Sequence, residues 1–272
     1  STLSKLLKVD ERFEILCTYK NYSKVKFIYL KNKQKIKLNV FDKKKLKKII
    51  LDFNPDYIIN CVGLIKQLFN KNNTSTAKYL NTSLPRILLK LIKQKKTKII
   101  HLSTDCVFSG KKGNYKETDK CDALDFYGKS KFRGEIKSKN IINIRTSIIG
   151  NEISSKHSLL DWFLSQKKIS GYKKAFFSGL TTLELSKAMI NGIILQKKVT
   201  NGLFHISGPK ISKYDLLKNI KKIYKRKIII KANNTFKIDR SLNSTKYRKL
   251  VKNKIKSWPK MINELKNFNE NF

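Results

Sequence analysis

Short apolar runs alternate with stretches of helical spacing along most of this chain, and that alternation limits the fold more than any other feature. "RFEILCTYK", "DYIINCVG", "TKIIHLS" and "NIINIRTSIIG" read as strands, with "VKFIYL" and "KIKLNV" as shorter extended segments. Between them, "KKKLKKIILDF" puts Leu46, Ile49, Ile50 and Phe53 at helical spacing, and "LPRILLKLIKQ" is a helix with proline in its first turn. Strands separated by helices form βαβ units, so the expected class is α/β with a parallel sheet. Such sheets bind ligands beyond the carboxyl ends of their strands. Thr18, the run Cys61-Val62-Gly63 and the run Ser103-Thr104-Asp105 all fall at such ends, which predicts a crevice there.

After Gly150 the pattern changes. "HSLLDWFLSQ", "TTLELSKAMINGIILQ" and "KYDLLKNIKKIY" look helical, and "NGLFHISG" looks like another strand. The tail from about Ile228 reads as irregular and basic. The expected division is a first domain over 1–150 and a second over 151–272, with 202–208 returning to the first sheet. At 272 residues this is one large domain or two intimate ones. No linker rich in Gly, Pro or Ser separates the halves, so they should pack directly on each other.

The formal net charge is +42, which raises a polyanion-binding reading. The basic residues are nearly all lysine, spread along the chain; arginine occurs only at Arg12, Arg86, Arg133, Arg145, Arg226, Arg240 and Arg248. Arginine is the usual reader of phosphates and guanine edges. Joint enrichment in Lys, Asn and Ile fits compositional drift, with most lysine runs on solvated faces, so no specific nucleic acid is expected as a partner. Cys17, Cys61, Cys106 and Cys121 form no CxxC pair and have no nearby histidine, so neither a disulfide framework nor a metal site is expected. No signal-type leader and no apolar run of about 18 residues is present, so the expectation is a soluble cytoplasmic protein without a membrane partner.

The chemistry concentrates in "IIHLSTDCVFSGKKGNYKETDKCDALDFYGKSKFRGE". Residues four apart share a helix face, so Tyr127 and Lys131 should point the same way. An ammonium beside a phenol stabilises the phenolate and is expected to lower the tyrosine pKa. That would poise Tyr127 to donate a proton to a developing alkoxide, with Thr104 hydrogen-bonded to the same oxygen. The trio suits reduction of a ketone by a hydride-donating cofactor. In a chain so rich in lysine, the bland alternative is an exposed helical pair. Its place downstream of Ser103-Thr104-Asp105 argues for the catalytic reading. His101 and His205, inside strands, read as core histidines, and His157 as solvent-facing. Trp162 and Phe163 read as core rather than as a sugar platform, while Asp239-Arg240 is open between a substrate contact and an ion pair.

These motifs resemble the extended short-chain dehydrogenase/reductases, most closely the dTDP-4-dehydrorhamnose reductase family of nucleotide-sugar reductases. "INCVGLIKQ", "YLNTSLP", "HLSTDCVFSG", "YKETD", "YGKSKFRGE", "IRTSIIG", "GLFHISG" and "DRSLNST" follow family order from about residue 37 to 248. The resemblance implies a Rossmann-type doubly wound sheet with a smaller C-terminal substrate-binding domain. It implies NAD(P)H as cofactor, with Thr18 and Lys20 at the end of the second strand favouring NADPH over NADH, a nucleotide-sugar substrate and, as an open choice, a homodimer. Thr104, Tyr127 and Lys131 match the catalytic set, and Lys131 also holds the nicotinamide ribose. Cys61, Val62 and Gly63 match the strand end against the cofactor, and Asn39 and Val40 the segment beside the adenine. Thr18 and Lys20, at the end of the second strand of such a fold, are expected at the ribose. Asp105, Val107, Arg145, Thr146 and Ser147 match substrate-side positions. Cys106 stands where the family more often has tyrosine. The family's opening strand and GxxGxxG loop have no counterpart in this sequence, and "STLSKLLK" resembles the helix after the last glycine. The chain is therefore expected to be a fragment or a truncated product. The rival readings are an epimerase or another nucleotide-sugar reductase of the same fold, a non-catalytic regulatory subunit, and a polyanion binder.

Overall fold

The computed structural model describes residues 2–20, 30–92, 96–152, 158–252 and 254–271. Most of "VKFIYL", and His157, lie outside the described residues. In the first half the order is α1 (Thr2–Lys8), β1 (Cys17–Tyr19), β2 (Lys35–Lys37), α2 (Lys43–Phe53), β3 (Tyr57–Asn60), α3 (Thr74–Lys78), α4 (Leu84–Leu91), β4 (Lys98–Leu102), α5 (Phe126–Arg133) and β5 (Ile141–Arg145). Helix α2 matches its apolar spacing: Asp42 caps its start by accepting from Lys45 N at 2.9 Å, and Asn54 ends it in the left-handed region at φ 46°. The strands are shorter than the apolar runs that carry them. "RFEILCTYK" forms a ladder only over Cys17–Tyr19.

The second half runs β6 (Ile148–Ile149), α6 (Leu159–Leu164), β7 (Lys168–Tyr172), β8 (Ala175–Phe177), β9 (Leu180–Thr181), α7 (Thr182–Lys187), β10 (Gly202–His205), β11 (Ile211–Ser212), α8 (Lys213–Ile223), β12 (Ile229–Asn233), β13 (Ile238–Asp239), α9 (Thr245–Val251) and α10 (Trp258–Glu270). Helix α7 continues as wider π-type turns over Ala188–Leu195. The tail is therefore not irregular, as its composition suggested. Strand β12 pairs with β7 and β13 with β8. Trp258, Met261, Ile262 and Leu265 sit one helical face apart and are all buried. That periodicity is present in the sequence but diluted by lysines on the other faces. Among the described residues, no helix is long and apolar enough to cross a membrane.

The main sheet is parallel throughout, in the order β10-β5-β4-β3. Both faces are covered. Ile99 and Ile141 pack toward α2 and α4, while Ile100, Ile142 and Ile144 pack into the larger core shared with α7, α8 and α10. Strands β1 and β2 pair with each other but not with this sheet. A doubly wound sheet of order 3-2-1-4-5-6 has a strand between the positions that β1 and β3 hold here. In its place is a cavity of about 160 Å³ lined by Thr18, Val40, Asn60 and Val62 together with apolar side chains of α2 and α4.

Candidate active site

The site grows from the carboxyl end of β4. The chain turns at Ser103–Val107, and α5 packs its first turn against that turn. Thr104 Oγ1 accepts from Cys106 N at 3.1 Å and donates to Asp105 Oδ1 at 3.2 Å. Asp125 caps α5 by accepting from Gly128 N at 2.8 Å. The close approach depends on Gly128. A Cβ there would stand 2.2 Å from the carbonyl oxygen of Cys106. Backbone at that distance must shift, and overpacking of this kind costs about 1–3 kcal/mol. Gly128→Ala is expected to lose stability of that order and to lift Tyr127 away from Thr104. Urea unfolding together with turnover checks this; a variant as stable and active as the parent removes the constraint.

Thr104, Tyr127 and Lys131 come together. Tyr127 lies against the Thr104 hydroxyl, but its pKa is raised, not lowered as the lysine spacing predicted. Burial outweighs every other influence on it, with the neighbouring Cys106 next. The Lys131 ammonium donates to the Leu102 carbonyl oxygen at 2.6 Å and is not among the groups that shift Tyr127. Burial pushes the Lys131 pKa down to about 8, and Glu135 opposes that. Asp105 is also buried, which raises its pKa against the pull of Lys213 and Arg240.

Two further braces flank Tyr127, from the loop after β3. Lys66 Nζ reaches Asp125 Oδ2 at 2.6 Å, and the rings of Phe69 and Phe126 stack with centroids 5.1 Å apart. Deeper, Asn81 accepts from Leu64 N at 3.0 Å and donates to Ser130 Oγ at 3.0 Å, tying that loop to α5. Sequence reasoning assigned no role to Asn81, Ser130, Lys66 or Glu135. All four lie in the quoted motifs "INCVGLIKQ", "YLNTSLP" and "YGKSKFRGE", which was the available signal.

A nicotinamide dinucleotide fits the residues present on the side of Lys131. Gly63 leaves the space beside Lys131 Nζ open; a Cβ at position 63 would stand 3.6 Å from it and 2.9 Å from Asn81 Oδ1. Asn60 Oδ1 holds Val62 N at 3.1 Å and fixes that strand end. Thr18, Val40 and Val62 line the cavity between β1 and β3. Lys20 and Asn39 are exposed and outside its lining, and the Asn39 side chain accepts from Phe41 N. No glycine-rich loop borders the cavity among the described residues.

The substrate-side assignments divide. Asp105 and Val107 are buried in the turn itself. Arg145 is buried and its guanidinium is taken up by protein groups. Its Nε and Nη2 reach Glu135 at 2.9 and 2.6 Å, Nη2 also meets Cys121 Sγ at 3.0 Å, and Nη1 faces His205 Nε2 at 3.4 Å. With its donors so engaged, Arg145 ties β5 to Glu135, Cys121 and His205. Thr146 holds Asp105 N through its carbonyl at 3.2 Å, and the Ser147 carbonyl accepts from Leu180 N at 2.8 Å. His101 and His205 are fully buried, and burial pushes both pKa values down to about 3, so they stay neutral. Phe163 is core, but Trp162 is exposed. Asp239 pairs with Lys210, whereas Arg240 turns to the Phe108 carbonyl at 2.9 Å.

The RmlD substrate binding domain model matches residues 19–270. The dTDP-4-dehydrorhamnose reductase of Aggregatibacter actinomycetemcomitans is 30% identical over 226 residues, which cover 79% of this chain and 71% of that protein. Among solved structures, a hypothetical dTDP-4-dehydrorhamnose reductase from Sulfolobus tokodaii superposes with a TM-score of 0.77 at 26% identity, covering 94% of this chain and 92% of that one. The dTDP-4-dehydrorhamnose reductase of Bacillus anthracis, solved with NADP, gives a TM-score of 0.74 at 19% identity, covering 88% and 92%, a likeness of fold. With a parallel sheet, Thr104, Tyr127 and Lys131 at its carboxyl edge, and a family match across nearly its whole length, the chain belongs to the RmlD substrate binding domain family.

Proposed function

We propose that this protein reduces the 4-keto group of a nucleotide-linked 4-keto-6-deoxyhexose, in the manner of dTDP-4-dehydrorhamnose to dTDP-rhamnose, as a cytoplasmic step in making cell-surface polysaccharide precursors. The observation that carries the reading is the meeting of Thr104, Tyr127 and Lys131 beside the open Gly63 edge. The bound dinucleotide supplies the hydride. Thr104 and Tyr127 together hold the ketone oxygen, and Tyr127 delivers the proton as charge develops there. A phenol whose pKa is raised stays protonated at neutral pH, so it is ready as a donor. The experiment is a panel of nucleotide 4-keto sugars with NADPH and NADH. Turnover of a 4-keto-6-deoxyhexose supports the reading, and turnover of none in the panel ends it.

The ammonium of Lys131 should govern the alkaline limb. Its pKa of about 8 means that it is charged below that pH and neutral above it. If the charged form is needed, kcat/KM, which reports the free enzyme, falls as pH rises through that value. A pH profile checks this. Lys131→Arg, which stays charged, should move the limb to higher pH; a profile flat to pH 10 would exclude the ammonium.

Cofactor preference should favour NADPH. An acidic residue after the second strand of a dinucleotide fold selects NAD by bonding the ribose 2′-OH. The end of β1 carries Thr18, Tyr19 and Lys20, with no acid. Charge-assisted phosphate contacts favour NADPH by about tenfold or more. Kinetics with both cofactors, repeated with Lys20→Ala, tests this; equal efficiencies, or a preference unchanged by the substitution, would remove Lys20.

A further inference from the structure

Lys213 opens α8 with its ammonium 3.6 Å from the centroid of the Phe177 ring. Among the described residues it has neither a hydrogen-bond acceptor nor an ion-pair partner at contact distance. The carboxylate that acts on it is Asp105, in the turn that carries Thr104, with the Cys106 thiol beside it. Two more cations reach the same turn from separate elements. Arg240, just after β13, places Nη1 3.7 Å from Cys106 Sγ. Lys66, from the loop after β3, acts on Cys106 as well but is held by Asp125. The carboxylates here are Asp105 and Asp125, so three cations face two acids. Asp125 is engaged twice over, by Lys66 and by the cap of α5.

This surplus of positive charge differs from the many solvated lysines of the chain. It surrounds the turn that carries Thr104, where low-dielectric walls strengthen its field. An ammonium largely withdrawn from water and resting on an aromatic face retains three donors directed at nothing in the protein. Such a group is costly to keep unless a ligand completes it. The occupant must be anionic and must reach the centre together with the ketone. On the function proposed above, which this inference presupposes, the anion attached to the sugar is the substrate's diphosphate.

We propose that Lys213 binds the sugar-linked phosphate of the nucleotide sugar and so sets the position of the ketone against Tyr127. Phe177 fixes the direction of the ammonium, and Arg240 adds a second positive charge alongside. Lys213 is then a substrate-binding residue contributed by the C-terminal half to a reaction whose proton donor lies in the N-terminal half.

The test is calorimetric binding of nucleoside diphosphates and the matching monophosphates (dTDP with dTMP, UDP with UMP, GDP with GMP) to the NADPH-loaded protein. The sugar-linked phosphate is present in the diphosphate and absent from the monophosphate. Lys213→Met, which keeps the length of the side chain over Phe177, should weaken the diphosphate about 10- to 100-fold and leave the monophosphate and NADPH unchanged. Lys213→Arg should recover most of the loss. If Lys213→Met weakens mono- and diphosphate alike, or leaves both as they were, the assignment is overturned. If the unaltered protein binds NADPH but no nucleoside diphosphate, the nucleotide-sugar reading itself fails, and the assignment with it.

Discussion

Replacing Tyr127 with phenylalanine lowers turnover by about 10²–10⁴-fold, the range that one general acid supplies. The substitution removes one oxygen and no ring surface, so the contacts of the ring with its neighbours persist. Lys131 is not held by the phenol; its ammonium bonds to Leu102 O. Affinity for NADPH should therefore stay within about twofold, since the substitution breaks no hydrogen bond of Lys131. The residual rate should also lose its dependence on the phenol while keeping the alkaline limb assigned to Lys131. Steady-state kinetics and cofactor titration on the same preparation decide it. Turnover within threefold of the parent would mean that Tyr127 is not the donor. A loss of cofactor binding equal to the loss of turnover would mean that it acts by positioning.

The second large effect is on stability. Glu135 and Arg145 form a bidentate pair whose side chains are 6% and 3% exposed. Ser103 Oγ donates to the same Glu135 oxygen at 2.6 Å, so the pair also supports the strand end that leads into Thr104. Removing one member leaves the other charged and buried, which costs about 3–5 kcal/mol. Against a whole-domain stability of roughly 5–15 kcal/mol, that approaches the limit of a folded protein. Glu135→Gln keeps the size and still leaves Arg145 without a counter-charge, so it is expected to lose most of that amount. The double variant Glu135→Leu with Arg145→Met removes both charges and should be less destabilised than either single change. Urea unfolding of the three variants tests this. A Glu135→Gln protein within about 0.5 kcal/mol of the parent, the range of an ordinary surface change, would show that solvent reaches the pair.

The class of fold, and the fact that Thr104, Tyr127 and Lys131 stand at one edge of the sheet, could be read directly from residues. Apolar runs such as "TKIIHLS" are strands because both faces of a parallel sheet are covered, and helix α2 begins and ends where its spacing and its capping Asp42 place it. Tyr127 and Lys131 share a helix face because a helix repeats locally. Helix α10 follows the same rule: Trp258, Met261, Ile262 and Leu265 keep helical spacing, but lysines and asparagines on the other faces dilute it. Features that depend on neighbours a few positions away are fixed by local order along the chain. That determines the elements, their order, and which polar residues stand at strand ends. Which charges meet depends on how distant segments pack against one another. Arg145 matched a substrate position by motif, yet it is spent on Glu135 from a different element. The expected effect of Lys131 on Tyr127 is overridden by burial, and burial is set by chain segments distant in sequence. Lys213 looked like one lysine among many until Phe177 and the Asp105 turn closed around it. The reason is physical: a side chain's solvation and its Coulomb partners are properties of the space around it, and periodicity along the chain carries no information about that space.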